Sequence, residues 1–160
     1  MIYVSQLKEP TEYYKYFIDF FNENLIYSHL WDQTRLIRIK DGIEKDIHNV
    51  GYLRIIDLVN KVQKQVKDDK RFSVIQDIEI VKYPQGSSKN YHFDLSRETT
   101  TGASITYLND NYIGGHTIIE GVDVTPIEGR TVYFDGQEFK HCVSNVIKGS
   151  RYTLSIWYGY

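Results

Sequence analysis

The segment "NYHFDLS", residues 90–96, sets His92 and Asp94 two positions apart in a stretch that reads as a strand. Side chains on a strand alternate faces, so both are expected on the same side of a sheet. An imidazole beside a carboxylate makes either a salt bridge or part of an ion site, and for an isolated pair the surface salt bridge is the commoner outcome. An ion site needs a third ligand from elsewhere. Two histidines and one carboxylate, with the remaining positions open, form the ligand set suited to non-haem Fe(II) that must bind O₂ and a co-substrate. His141 opens "HCVSNVI" 49 residues after His92, far enough for several strands to wrap back and bring it to the pair.

Ten residues past His141 stands Arg151, at the head of "RYTLSIWY". The intervening "KGS" reads as a turn, which predicts that the two residues lie on neighbouring antiparallel strands. A lone arginine is usually a surface residue. A buried one needs an anion, and its planar fork matches a carboxylate. An arginine one strand from a metal ligand can hold the far end of a dicarboxylate whose near end chelates the metal. Of the other histidines, His29 and His48 fit no constellation and are expected at the surface or satisfied locally. His116, in "GGHTII", is a rival third ligand. With His141 present, it is expected on the other side of its strand or at the entrance. Chance rarely produces HxD, a histidine about fifty residues on, an arginine ten further and an aromatic strand end in that order.

These residues need a scaffold, and 160 residues suffice for one domain with its own core. Hydrophobic content of 41% and charged content of 25% are ordinary for a soluble globular chain. Fourteen tyrosines lean toward strands and half-buried surfaces. A net charge of −2 offers no footprint for duplex nucleic acid or an anionic membrane. The single cysteine, Cys142, permits no intrachain disulfide. There is no run of 18 apolar residues and no signal-peptide pattern in "MIYVSQLKEPTEYY", so a cytoplasmic location is expected.

Residues 11–27 predict a helix, with Thr11 as a possible N-cap and Tyr14, Phe17, Phe21 and Leu25 at helical spacing. Residues 30–42 are ambiguous: "RLIRIK" alternates like a strand and "DG" closes it. A second amphipathic helix runs from Asn49 to "KDDK", with Leu53, Ile56, Val59, Val62 and Val66 as its stripe. From residue 72 the period becomes two. "FSVIQDIEIVKY", "NYHFDLS", "SITYLND", "GGHTIIEG", "RTVYFDG", "HCVSNVI" and "RYTLSIWY" are separated by turn residues, as in a β-sandwich or barrel. The expected fold class is α+β: helical support over about residues 1–70, packed on one face of a mainly antiparallel β-core over about 72–160.

Residues 74–160 resemble the 2-oxoglutarate- and Fe(II)-dependent oxygenases, and within them the prolyl 4-hydroxylase-like branch. The resemblance rests on "IEIVKYPQG", "YHFD", "SITYLND", "GGHTII", "PIEGRTVYFDG" and, most specifically, "HCVSNVIKGSRYTLSIWY". It implies a double-stranded β-helix core of the jelly-roll, cupin-like kind. It matches His92, Asp94 and His141 to the iron triad and Arg151 to the basic residue that pairs with the distal carboxylate of 2-oxoglutarate. Collagen-type relatives usually carry lysine there, and arginine resembles the oxygen-sensing and bacterial type. Tyr107 matches a tyrosine whose hydroxyl shares that carboxylate. Tyr83 matches a pocket tyrosine near the metal-binding end of the co-substrate, and Ser155 a small hydroxyl residue of the same pocket. Trp157 matches an aromatic beside the iron that meets the prime substrate, and Arg97 is a candidate for the substrate groove. Lys89 stands where many relatives have tyrosine, and "GGHT" where they have "GGET". Both departures fall on the substrate side.

The activity implied is O₂-dependent hydroxylation of an unactivated C–H bond, with 2-oxoglutarate oxidised to succinate and CO₂ and ascorbate as reductant. Asp94 is then a ligand and not a general base. The first expected substrate is a prolyl residue in a protein or peptide, lying in a groove under a mobile lid formed by the polar residues 84–90, "PQGSSKN". For that stretch an ordinary solvated loop is as good a reading. The rivals are a hydroxylase of a free amino acid or small metabolite on the same core, and a non-catalytic metal-binding β-barrel. Nucleic-acid demethylation fits the charge poorly.

Overall fold

In the computed structural model, which describes residues 1–24, 29–31, 34–46 and 48–160 (backbone alone at 29–31 and 41), the alternating stretches pair into two facing antiparallel sheets. The wide sheet runs β1 (Tyr3–Gln6), β10 (Arg130–Phe134), β6 (Thr100–Tyr107), β13 (Arg151–Gly159), β4 (Val74–Tyr83), β3 (Thr34–Arg38), β2 (His29–Trp31). The narrow sheet runs β5 (Lys89–His92), β11 (His141–Val143), β8 (Thr117–Ile119), β9 (Val122–Val124). A two-stranded ribbon pairs β12 (Val146–Lys148), which lies between β11 and β13 in the chain's path, with β7 (Ile113–Gly114), which lies between β6 and β8.

Alternation along the central strand β13 explains the layering. Leu154, Ile156 and Tyr158 point to one face, where they join Ile78 and Ile80 of β4 and Tyr133 of β10. Over this face pack α1 (Thr11–Glu23), through Tyr14, Phe17, Phe20 and Phe21, and α3 (Val50–Lys64), through Ile55, Leu58, Val59 and Val62. Removing each of these side chains from water contributes about 1.5–3 kcal/mol, and several are completely buried. The opposite face of β13 turns Arg151, Thr153, Ser155 and Trp157 toward the narrow sheet. Between the sheets, Ala103, Tyr107, Val132 and Phe134 meet Ile119 and Val124 in a second core.

Several expectations change at the element level. Pro10, not Thr11, occupies the N-cap of α1, and Thr11 Oγ1 donates to Glu128 Oε1 instead. Leu25, expected on the stripe of that helix, lies outside the described residues. In α3 the buried stripe passes through Ile55 and Leu58, while Leu53 is exposed and Ile56 half-buried. The apolar positions of this helix are numerous enough to draw two stripes, and packing on the sheet selects one. "RLIRIK" is only partly strand: β3 ends at Arg38, and α2 (Ile39–Lys45) absorbs the "DG" expected to close it. The helical region thus also contains β1, β2 and β3, which extend the wide sheet at both edges.

Candidate metal centre and co-substrate pocket

His92 ends β5 and pairs with His141 of β11 across the narrow sheet, so backbone register alone sets the two imidazoles side by side. Their ring centroids are 4.3 Å apart. Asp94 comes to them in a different way from the one the sequence suggested: the strand has ended by then, and Asp94 is held by its backbone N–H donating to the Gly136 carbonyl at 2.8 Å. Its Oδ1 lies 3.3 Å from His141 Nε2 and 3.7 Å from His92 Nε2. Gly136 has a reason to be glycine, because a Cβ there would collide with Asp94 Oδ2.

Each histidine donates Nδ1–H to the backbone carbonyl two residues before it, His92 to Asn90 at 2.7 Å and His141 to Phe139 at 2.9 Å. A carbonyl only accepts, so each ring carries a proton on Nδ1, and its neutral form offers the Nε2 lone pair to a metal. Burial lowers the pKa of His92, favouring the neutral ring a metal requires. Phe134 packs against His141 at 4.7 Å and limits its rotation. Among the described residues, His92, Asp94 and His141 are the one set of three His, Cys, Asp or Glu whose ligand atoms converge, all within 4.8 Å of one another. Two neutral imidazoles and a carboxylate on one side fit a divalent transition metal and leave the other side open.

The pocket beside the triad is walled by the wide sheet. Arg151 is 1% exposed, and no ion pair among the described residues involves it. Its Nε donates to the Gly115 carbonyl and an Nη to Thr117 Oγ1, both at 2.9 Å, and the guanidinium lies over the Tyr83 ring at 4.7 Å. The "GG" of residues 114–115 serves this contact. Gly115 has φ of +64°, and a Cβ there would press on Tyr112 and on the Arg151 side chain. Two buried hydroxyls lack a hydrogen bond of good geometry: Thr153 Oγ1, on the pocket wall next along the face from Arg151, and Tyr112 Oη, whose one polar neighbour of note is the Arg151 guanidinium. Burial pushes the Tyr112 hydroxyl pKa up, and the nearby Arg151 partly opposes this. A buried cation with poorly satisfied hydroxyls beside it is a site built for an anion.

Tyr83, Ser155 and Trp157 line the same pocket. Tyr107 does not: its hydroxyl donates to the Val124 carbonyl and accepts from Thr117 N–H, so its ring, 5.5 Å from the guanidinium, and not its hydroxyl, faces Arg151. His141 and Arg151 are not on neighbouring strands, because β12 intervenes and carries the chain from the narrow sheet to the wide one. Arg97 stays outside the pocket wall, its guanidinium 4.0 Å from Asp77. His116 pairs with Asp123 at 2.8 Å, away from the triad. His48 is exposed, and the His29 side chain lies outside the described residues. The expected lid is a pinned turn: Gly86 N–H donates to Val146 O, Val146 N–H to Ser87 O, and Ser87 is buried. Thr153, Tyr112 and Glu79, a buried pocket carboxylate whose Oε1 accepts from Arg38, escaped the sequence reading. Only the parity of Thr153 with Arg151 could have flagged it.

Solved structures share this fold. A Pseudomonas putida prolyl-4-hydroxylase superposes with a TM-score of 0.75 at 18% identity, covering 99% of this chain and 91% of that one. A prolyl hydroxylase from Trichoplax adhaerens, solved with a hypoxia inducible factor oxygen degradation domain peptide fragment, gives 0.78 at 16%, covering 99% and 83%. The viral collagen prolyl hydroxylase of Paramecium Bursaria Chlorella virus-1, in its 2OG complex, gives 0.70 at 15%, covering 98% and 93%. These establish the jelly-roll fold. No curated protein sequence matches the chain. Residues 78–159 match the sequence model of the 2OG-Fe(II) oxygenase superfamily, a span from within β4 to the end of β13 that takes in the triad, Arg151 and most of the pocket wall. The chain belongs to the 2OG-Fe(II) oxygenase superfamily and is a dioxygenase enzyme of prolyl-hydroxylase-like fold.

Proposed function

We propose that the protein hydroxylates a C–H bond of a prolyl residue in a protein or peptide, consuming 2-oxoglutarate and O₂ and releasing succinate and CO₂. The observation that carries this reading is Arg151, a buried arginine without a carboxylate partner among the described residues, opening on the same pocket as a His–Asp–His triad. A structural metal site has no use for such a residue. The Trichoplax neighbour, with its peptide, supports the peptidyl substrate.

In this reading His92 Nε2, Asp94 and His141 Nε2 hold Fe(II), which with 2-oxoglutarate and O₂ supplies the oxidising chemistry when bound. The Asn90 and Phe139 carbonyls keep both imidazoles in the ligating tautomer. Arg151 binds the distal carboxylate of 2-oxoglutarate, and the Thr153 and Tyr112 hydroxyls donate to it. Tyr107 supports the guanidinium through its ring, the role left to it by its engaged hydroxyl. Tyr83 and Ser155 close the walls around the co-substrate and exclude water. Trp157 meets the prime substrate. Ascorbate serves as the reductant that keeps iron ferrous.

The test is succinate formation with Fe(II), ascorbate, 2-oxoglutarate and air. Wild type is expected to form succinate, His141→Ala to form none, and Arg151→Ala to need at least tenfold more 2-oxoglutarate, the scale of a lost charge-assisted pair. Failure of 2-oxoglutarate to bind the metal-loaded chain, read by titration, ends the proposal.

A further inference from the structure

The pocket wall has an order that the co-substrate does not exhaust. Register pairs Arg151 with Tyr83, Thr153 with Val81, Ser155 with Glu79 and Trp157 with Asp77. The row of Ser155 and Glu79 is four residues along β13 from Arg151, about 13 Å of strand at the usual rise, at the end of the pocket wall away from the carboxylate anchor. That row continues to Arg38 on β3 and to Ile105 on β6. Its one charged buried member is Glu79, 6% exposed and part of the pocket wall. Arg38 reaches only its Oε1, through Nε at 3.3 Å, and the Arg38 side chain is itself 53% exposed. Glu79 Oε2 takes no hydrogen bond among the described residues. Asp77, one row further, adds a second carboxylate, with Arg97 outside it. A carboxylate buried this deeply and tied so loosely is poorly served by the protein alone. Burial, with Asp77 nearby, pushes it up to about 7, which is the cost of that poor service.

We infer that Glu79 is a specificity-determining residue that receives a cationic nitrogen of the prime substrate. The inference rests on the oxygenase reading above and names the chemistry its substrate carries beside the hydroxylated carbon. An ammonium or guanidinium entering past Ser155 and Trp157 would pair with Glu79 and displace or share the rim guanidinium of Arg38. The cation can come from a lysine or arginine next to the target proline in a peptide, or from the amine of a small molecule.

The experiment separates these sources. The full chain, loaded with Mn(II) and 2-oxoglutarate, is titrated with capped lysyl-prolyl, norleucyl-prolyl and glutamyl-prolyl peptides and with n-butylammonium, following tryptophan fluorescence. Lysyl-prolyl is expected to bind at least tenfold tighter than norleucyl-prolyl, and glutamyl-prolyl weakest. Glu79→Gln should narrow that preference to within twofold, and Arg38→Ala should widen it. If n-butylammonium binds with the same dependence on Glu79 while no peptide binds, the cation site stands and the peptidyl reading falls. Equal binding of the lysyl and norleucyl peptides by wild type overturns the inference, as does an unchanged preference in Glu79→Gln or no binding of any probe to a chain that binds 2-oxoglutarate. Should Glu79→Gln not fold, Arg38→Ala decides, and an unchanged or reduced preference there overturns it. Loss of 2-oxoglutarate binding itself is a different result and removes the oxygenase reading instead.

Discussion

Glu79 has a second consequence at the scale of one residue, through folding. Its carboxyl titrates near 7 in the folded chain, against an ordinary carboxylate range near 4.5 in the unfolded one. Between those values the native state binds a proton that the unfolded state does not, so stability falls as pH rises through this window. Glu79→Gln cannot ionise and escapes the fall. Denaturant unfolding at pH 4.5 and at pH 8 should show the variant gaining on wild type by about 3 kcal/mol at most across the interval, from one pK unit being about 1.4 kcal/mol. A gap that stays flat with pH would mean that Arg38 and solvent already hold Glu79 ionised. The triad histidines show the same economy of means, each oriented by a carbonyl two residues back in its own chain segment.

Among the elements, the turn between β10 and β11 governs the metal more than either strand does. It supplies the Gly136 carbonyl that fixes Asp94 and the space in which Asp94 sits. Gly136→Ala should displace the carboxylate and weaken Mn(II) binding roughly 10–100-fold, the scale of lost support around a metal ligand. Circular dichroism should remain native, because the turn packs no core residue of the helical layer. What the sequence disclosed at this scale follows from what strands encode. The strand pattern after residue 72 and the helices over Tyr14–Phe21 and Val59–Val62 were legible because alternation and helical spacing are local. HxD, His141 and Arg151 were legible because their types are chemically costly to bury. The crossing of β12 between sheets was not, since "KGS" reads the same whether the chain turns back or passes over. Nor were Thr153, Tyr112 and Glu79, whose meaning comes only from what faces them. Tyr107 was misread for the same reason: the direction of its hydroxyl is a tertiary fact.

For the whole molecule, the metal ligands belong to the narrow sheet side and Arg151 to the wide sheet. Under the proposed function 2-oxoglutarate touches both, so metal and co-substrate together should stabilise the fold by more than the sum of each alone. A ligand at a hundredfold excess over its dissociation constant contributes about 2.7 kcal/mol. Thermal unfolding with Mn(II), with 2-oxoglutarate and with both should show that surplus in wild type and lose it in Arg151→Ala. Purely additive shifts would mean that the co-substrate does not span the layers. The two faces of β13 carry a further meaning for change over time. Leu154, Ile156 and Tyr158 anchor the helices, while Arg151, Thr153, Ser155 and Trp157 meet the pocket. Even-numbered positions are foundation and odd-numbered ones are vocabulary. A library confined to 157, with 77 and 79 opposite, can therefore explore new substrates while leaving the helix-facing core and the co-substrate wall intact.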